Sequence, residues 1–280
     1  MTTAIHERYT KEIYDGLGYF AVWMPNSPVA LGDVGVLRGR RFHRTTSLAE
    51  LGVAFETVGP GAPIAHSYSS AGDVDVAVSG EVGTPEVLGL APQLTVTVTF
   101  RDAHATYLRA VGCTEEVVGD HLALQRGIAD LHKAGVWRRD HVVVTKLVRT
   151  GPAVILVSSS GGTRVEFQAS VDLAPMSLPV ASVGAGIGTS AGSALAAEAV
   201  ALDGGLTPLF ELSALRRGLN TRPRLRIRGP GAGTGKAATG TTAAGTTATG
   251  KAATANAATG TWQLAPLSWE EFAEDSVSPV

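Results

Sequence analysis

Several stretches of the sequence hold residue types that could do chemistry. Gly186-x-Gly188-x-x-Ala191 fits the loose form of a dinucleotide-binding turn, whose glycines let the backbone approach a pyrophosphate, and Glu211 could serve as the ribose-binding acid. The motif falls late in the chain, after strands that read as hairpins, and too little sequence follows it for a doubly wound parallel sheet. Cys113 follows Gly112 at a predicted helix start, where a thiol pKa can be lowered, but no His or Asn is assigned to activate it. Ser158-Ser159-Ser160-Gly161-Gly162 is a turn, since a nucleophile elbow needs G-x-S-x-G. His121 and His132 have no second and third ligand at metal spacing. The sequence thus predicts no catalytic residue, no metal and no cofactor, with a dinucleotide-binding enzyme as a lesser alternative.

The remaining chemistry is that of surfaces. Arg38, Arg40, Arg41 and Arg44 surround Phe42 in RGRRFHR, either a solvated loop or a contact for anions and lipid headgroups. Trp23 lies beside the loop Pro25–Pro28. Leu94, Val96, Val98 and Phe100 alternate with Thr95, Thr97 and Thr99, which gives one apolar and one polar strand face. Such a strand packs half-buried in a sheet, and the same alternation lets an apolar face meet lipid in a membrane barrel.

Around these residues the pattern is α+β, with a twisted, largely antiparallel sheet and packed helices. Ile5, Tyr9 and Ile13 mark a helix over residues 3–16, stopped by Gly16 and Gly18. Strands are predicted at 19–24, 73–78, 94–101 and 206–212. Thr114 caps a second helix reaching to Gly135, with the stripe Val117, His121, Leu124, Ile128 and Leu131. His141 to Val171 reads as three strands broken by TGPA and SGG, an antiparallel meander whose middle run, Val154 to Val157, is apolar on both faces. Leu178 to Val183 reads as a further strand before the glycines.

The chain has 280 residues, is 44% hydrophobic and carries a net charge of −2. That is enough apolar sequence for a large core, and the charge gives no case for nucleic acid as a partner. One cysteine excludes an intramolecular disulfide. The charged N-terminal residues carry no secretory signal, which predicts a cytoplasmic protein. Residues 173–197 are uncharged but dominated by Gly, Ser and Ala, too few large apolar side chains for a spanning helix. Residues 229–261 are almost entirely Gly, Ala and Thr, a linker composition. The sequence resumes at 262–280 with Trp262, Leu264, Leu267, Trp269 and Phe272 among four acids. The predicted organisation is therefore an α+β unit at 1–228, a disordered linker and a short C-terminal segment.

In combination, the N-terminal helix, the aromatic loop, RGRRFH, the amphipathic strands, DHVVVTKLVRT, SLPVAS and VALDGGLTPLFELSALRR resemble the pore-forming domain of gasdermins, over about residues 1–228. The resemblance implies a protein that is cytoplasmic while latent, then oligomerises and inserts β-hairpins in membranes, in bacterial members as cell-death defence. It implies membrane lipids, further copies of itself and an activating protease as partners. It also places lipid contact at Trp23 and the arginines, insertion at Leu94 to Phe100, and autoinhibition at the aromatic tail. Two features depart from the family: the first helix is not strongly basic, and no cysteine near the N-terminus offers a lipidation site. The tail's aromatics should dock on 1–228, and its acids could face the arginines of 38–44 or 216–228. A non-enzymatic binding or scaffold domain is the main alternative, because a fold alone does not fix function.

Overall fold

The structure, a computed structural model, describes residues 4–79, 93–170, 181–189, 195–201, 204–217 and 262–270. In chain order its elements are helix α1 (Ile5–Leu17) and strands β1 (Phe20–Ala21), β2 (Asp33–Arg38), β3 (Arg41–Ser47), β4 (Thr57–Val58), β5 (Ile64–Ser69), β6 (Val74–Ser79), β7 (Gln93–Phe100) and β8 (Thr106–Val118). Helix α2 (His121–Lys133) follows, then β9 (His141–Arg149), β10 (Ala153–Ser158), β11 (Arg164–Ser170), β12 (Ala181–Thr189), β13 (Leu195–Ala201), β14 (Leu209–Arg217) and β15 (Trp262–Pro266). The architecture is α+β, with a large open sheet built through β1-β14-β9-β8-β10-β13 and a second sheet of order β12-β11-β7-β6. The strand pairs are antiparallel.

β8 is the strand that the large sheet is built on. Its later half pairs with β9, Thr114 opposite Arg149, and its earlier half with β10, Ala110 opposite Ala153. The intervening Thr150-Gly151-Pro152 therefore does not reverse the chain. It is an interruption in one continuous partner of β8, bridged by the Val111 amide on the Pro152 carbonyl at 3.0 Å. This corrects the predicted meander: the three strands exist, but β9 and β10 run end to end, and β11 leaves for the other sheet. Alternation reports which face a side chain takes and carries no information on the partner strand. On its other edge β8 is flanked by β4 and β5. At Gly112, where β8 exchanges one set of partners for the other, φ is 60°.

β10 is buried throughout, as its two-faced apolar pattern predicts. Ala153, Ile155 and Val157 face a core shared with Tyr9 and Ile13 of α1, while Val154 and Leu156 face the second sheet. Helix α1 ends at Gly18, whose φ of 81° and amide bond to the Tyr14 carbonyl at 2.8 Å make a left-handed stop. Gly16 is not a stop but an interior residue, where a Cβ would come 2.6 Å from the Tyr68 ring.

The second helix begins later than predicted. Residues 114–118 belong to β8, and Asp120 is the cap, its carboxylate accepting from the Leu122 and Ala123 amides at 2.9 Å. Thr-Glu-Glu is a competent helix start in isolation, and cross-strand pairing on both edges overrides it. Leu124 and Ile128 are buried as expected, each contributing about 1.5–3 kcal/mol. His121 is exposed rather than on the packed stripe, and Val117 lies in the strand.

Candidate functional site

The two low-charge alternating regions, 73–101 and 153–200, meet in one sheet. β6 and β7 form one hairpin pair, β11 and β12 the other, and β7 joins β11 with Val98 opposite Val165 and Val96 opposite Phe167. Val96, Val98, Phe100, Val165 and Phe167 are buried against Tyr107, Val154 and Leu156 of the large sheet. Thr95, Thr97 and Thr99 take the opposite face and are half-buried. Leu94 lies in β7 opposite Ala169. The apolar face extends past its cover, since Val76 and Val78 on the outer strand are 38% and 39% exposed.

RGRRFHR is a hairpin and not a loop. Gly39 and Arg40 have φ of 54° and 57°, the two positive values of a type I′ turn. Arg38 and Arg41 face each other across it. The arginines divide into two kinds. Arg44 donates through Nε to Asp33 Oδ1 at 2.7 Å and lies 3.3 Å from Glu50, and Arg40 lies 3.5 Å from Glu7. Arg38 and Arg41 form no ion pair among the described residues. The turn is tied to α1 by His6, whose Nε2 lies 3.1 Å from the Gly39 carbonyl and whose ring stands 6.2 Å from Trp23. Burial, then the Arg41 charge, holds His6 below the usual imidazole range. The fold thus gathers Trp23 and the basic hairpin, apart in sequence, at one place.

The tail is seated. β15 adds to the edge of β14, with Arg217 opposite Trp262 and Ser213 opposite Pro266. The Leu264 amide donates to Gln125 Oε1 on α2 at 3.0 Å, and the Leu267 amide to the Leu212 carbonyl at 2.9 Å. Trp262 meets His132 edge-on, ring centroids 4.3 Å apart, and Leu264 joins the α2 core. Leu267 and Trp269 are buried, Trp269 within 5.5 Å of the Tyr14 ring and 6.4 Å of Phe20. Glu270 is exposed and in no ion pair among the described residues. Phe272, the other tail acids, residues 229–261 and Arg222 to Arg228 lie outside the described residues.

The enzyme-like motifs resolve differently. Gly186 and Gly188 lie inside β12, with Gly188 opposite Glu166, so this stretch is a ladder strand and not a turn opening a helix. The next described element is strand β13, and Ala191 lies outside the described residues. Glu211 is bound to Lys146 at 2.9 Å. Cys113 is fully buried, and burial pushes its thiol up, away from a reactive thiolate. Sequence reasoning missed a polar cluster beside α1. The Tyr19 hydroxyl donates to Glu115, Lys146 lies between Glu115 and Glu211 and 5.8 Å from the Tyr19 ring centroid, and His66 meets that ring edge-on. Among the described residues no group of three potential ligands could hold a metal, and no helix is long and apolar enough to cross a membrane.

No family model matches the chain, and no curated protein matches it.

Proposed function

We propose that this chain is a latent pore-forming protein that inserts β-hairpins into membranes after its tail is released by proteolysis. The observation that carries this reading is the sheet β12-β11-β7-β6, which joins two separate hairpin pairs and hides an amphipathic strand's apolar side against the large sheet. Turned outward, that side is suited to acyl chains, while the threonine face of β7 is suited to water. Strands of about 9–11 residues are needed to span a bilayer, and the regions 73–101 and 153–200 are long enough to supply them. β6 and β12 are the sheet's two edges. Pairing edge to edge with further copies closes a barrel and satisfies backbone groups that lipid cannot.

The tail is the restraint in this reading. Its strand is tethered through residues 218–261, and tethering keeps a modest contact closed by effective concentration. A cut within 229–261 removes that advantage. Trp23, Arg38 and Arg41 then serve membrane contact, the arginines through lipid headgroups. The resemblance to gasdermins supports the same cytoplasmic-to-membrane sequence of events. The test is dye leakage from anionic vesicles by the full chain, before and after a protease cut engineered into 229–261. Leakage only after the cut is expected. A cut chain that releases its tail and leaves vesicles intact removes the proposal.

A further inference from the structure

The hairpin β6–β7 is joined to the large sheet by two short links, residues 70–73 from β5 and 101–105 to β8. One side chain of α1 holds both. Arg8 Nη2 donates to Asp73 Oδ2 at 2.7 Å, immediately before β6. Its Nη1 donates to the Ala103 carbonyl at 2.9 Å and to Asp102 Oδ2 at 3.3 Å, immediately after β7. Its Nε donates to Glu12 Oε1 at 2.7 Å, which aims the guanidinium from within the same helix. The other Glu12 oxygen accepts from Ser70 Oγ at 2.5 Å, and Ser70 Oγ in turn accepts the Thr106 amide at 2.8 Å. The end of β10 is tied into the same place, because Ser158 Oγ donates to the Asp102 carbonyl at 2.8 Å and accepts the Ala105 amide at 2.9 Å.

We propose that Arg8 is a clasp that locks the roots of the β6–β7 hairpin to helix α1, and that its opening is the step that lets the four-stranded sheet lift from the large sheet. This rests on the reading of that sheet as the inserting element. The geometry suits the role. A planar guanidinium with several fixed donors binds two links at once, which a lysine could not do. It is only partly buried, with 26% of the side chain exposed, so water can replace its partners without leaving a charge in the core. The hydrophobic contact between the sheets carries no direction, whereas the clasp fixes where the hairpin is anchored. Because its partners belong to α1 and to the hairpin roots, any change that shifts α1 is transmitted to the hairpin. The tail does touch α1's surroundings, since Trp269 packs on Tyr14. Departure of the tail therefore loosens the helix that holds the clasp.

The experiment is hydrogen exchange on the uncut, full chain carrying Arg8→Gln, Asp73→Asn, or both. Asp73→Asn leaves Arg8 with Glu12 and so tests the contact without freeing the helix. The expected result is exchange roughly tenfold faster at β6 and β7 amides in each variant, with β9 and β14 unchanged. The double variant should be no faster than Arg8→Gln alone, because the Asp73 contact is already lost with the guanidinium. After a linker cut, dye leakage should begin with a correspondingly shorter lag. Unchanged exchange at β6 and β7 overturns the proposal. So does equal acceleration across the large sheet, which would make Arg8 a general support of the fold. Exchange as expected, with no leakage from any cut chain including the unsubstituted one, keeps the clasp and rejects the pore.

Discussion

Trp262 stands directly opposite Arg217 in the β14–β15 pair, although residues 218–261 separate them in sequence. A hairpin turn needs about 2–5 residues, so this connection is far longer than closure requires, and the tail behaves as a separate segment docked by its own contacts. Trp269 supplies the largest of these, buried beside Tyr14 and Phe20. Trp269→Ala should weaken the seat by ~3 kcal/mol, roughly a hundredfold in tail affinity. Gln125→Ala, which removes only the acceptor of the Leu264 amide, should cost about 1 kcal/mol. Retention of the cut tail peptide on the remaining chain during gel filtration measures both. Equal retention in wild type and Trp269→Ala would show that Trp269 does not hold the tail.

The faces of β7 make a second prediction. Val98 is fully buried against the large sheet, so Val98→Asp places a carboxylate in an apolar core at a cost of several kcal/mol. The outward control has to be chosen by register. Thr97 lies opposite Glu166, and an aspartate there would meet a like charge. Thr95 lies between Gln168 and Ser79 and has no charged partner. Thr95→Asp should fold normally and, once cut, leak dye nearly as well as wild type, whereas Val98→Asp should lose both. If circular dichroism melts are equally lowered for both variants, the two faces are not distinct as described.

How much of this was legible follows from what each signal encodes. The apolar stripe of α1, the alternation of β7 and the doubly apolar β10 are local patterns, and all three elements lie where those patterns put them. Pairing is not local. Nothing in TGPA says that β9 and β10 continue one ladder instead of turning back, because Gly-Pro permits either. RGRRFHR hid its turn because Gly-Arg lacks the Asn-Gly signature of a type I′ hairpin. GAGIG was ambiguous for a similar reason, since glycine spacing alone cannot separate a phosphate loop from a thin strand. Among the candidate residues, Trp23 and the arginines were singled out by type, but the division into paired and unpaired cations depends on Asp33, Glu50 and Glu7 reaching two of the arginines. Arg8, Asp73 and Asp102 carried no motif; their only trace was charge placed on the first helix and beside the ends of two low-charge strands.

Acid should loosen the fold. Burial, its largest cause, holds His66 below its ordinary value of 6.5, against the opposing pull of Glu115. His6 and His141 are also lowered, chiefly by burial. Below 6.5 the unfolded chain binds protons that the folded histidines resist, so stability is full above that value and falls as pH drops through it. Thermal midpoints should therefore decline from about pH 7.5 to about pH 5.5. His66→Phe keeps a ring against Tyr19 and removes the titrating nitrogen, so its midpoint should depend less on pH. A slope identical to wild type would remove His66 from the account.

The division among the arginines gives the last prediction. Arg38 and Arg41 oppose each other across the type I′ turn, and like charges directly opposite are unfavourable unless something between them is negative. No carboxylate among the described residues fills that place. On the proposed reading an anionic lipid headgroup would fill it, and Trp23 stands close through His6. Arg38→Gln and Arg41→Gln should each lower binding of the cut chain to anionic vesicles roughly fivefold, from ~1 kcal/mol per basic residue near such a surface. Both should leave the thermal midpoint nearly unchanged, or raise it slightly by relieving repulsion. Arg44→Gln should do the reverse. It strips the guanidinium from the Asp33 carboxylate, which is only 7% exposed, so the thermal midpoint should drop. Vesicle binding by the folded fraction should change little, because Arg44 is already engaged by Asp33 and Glu50. Co-sedimentation with anionic and with neutral vesicles, read beside thermal melts, separates the two patterns. If all three variants lose anionic-vesicle binding equally, the headgroup site does not lie between Arg38 and Arg41.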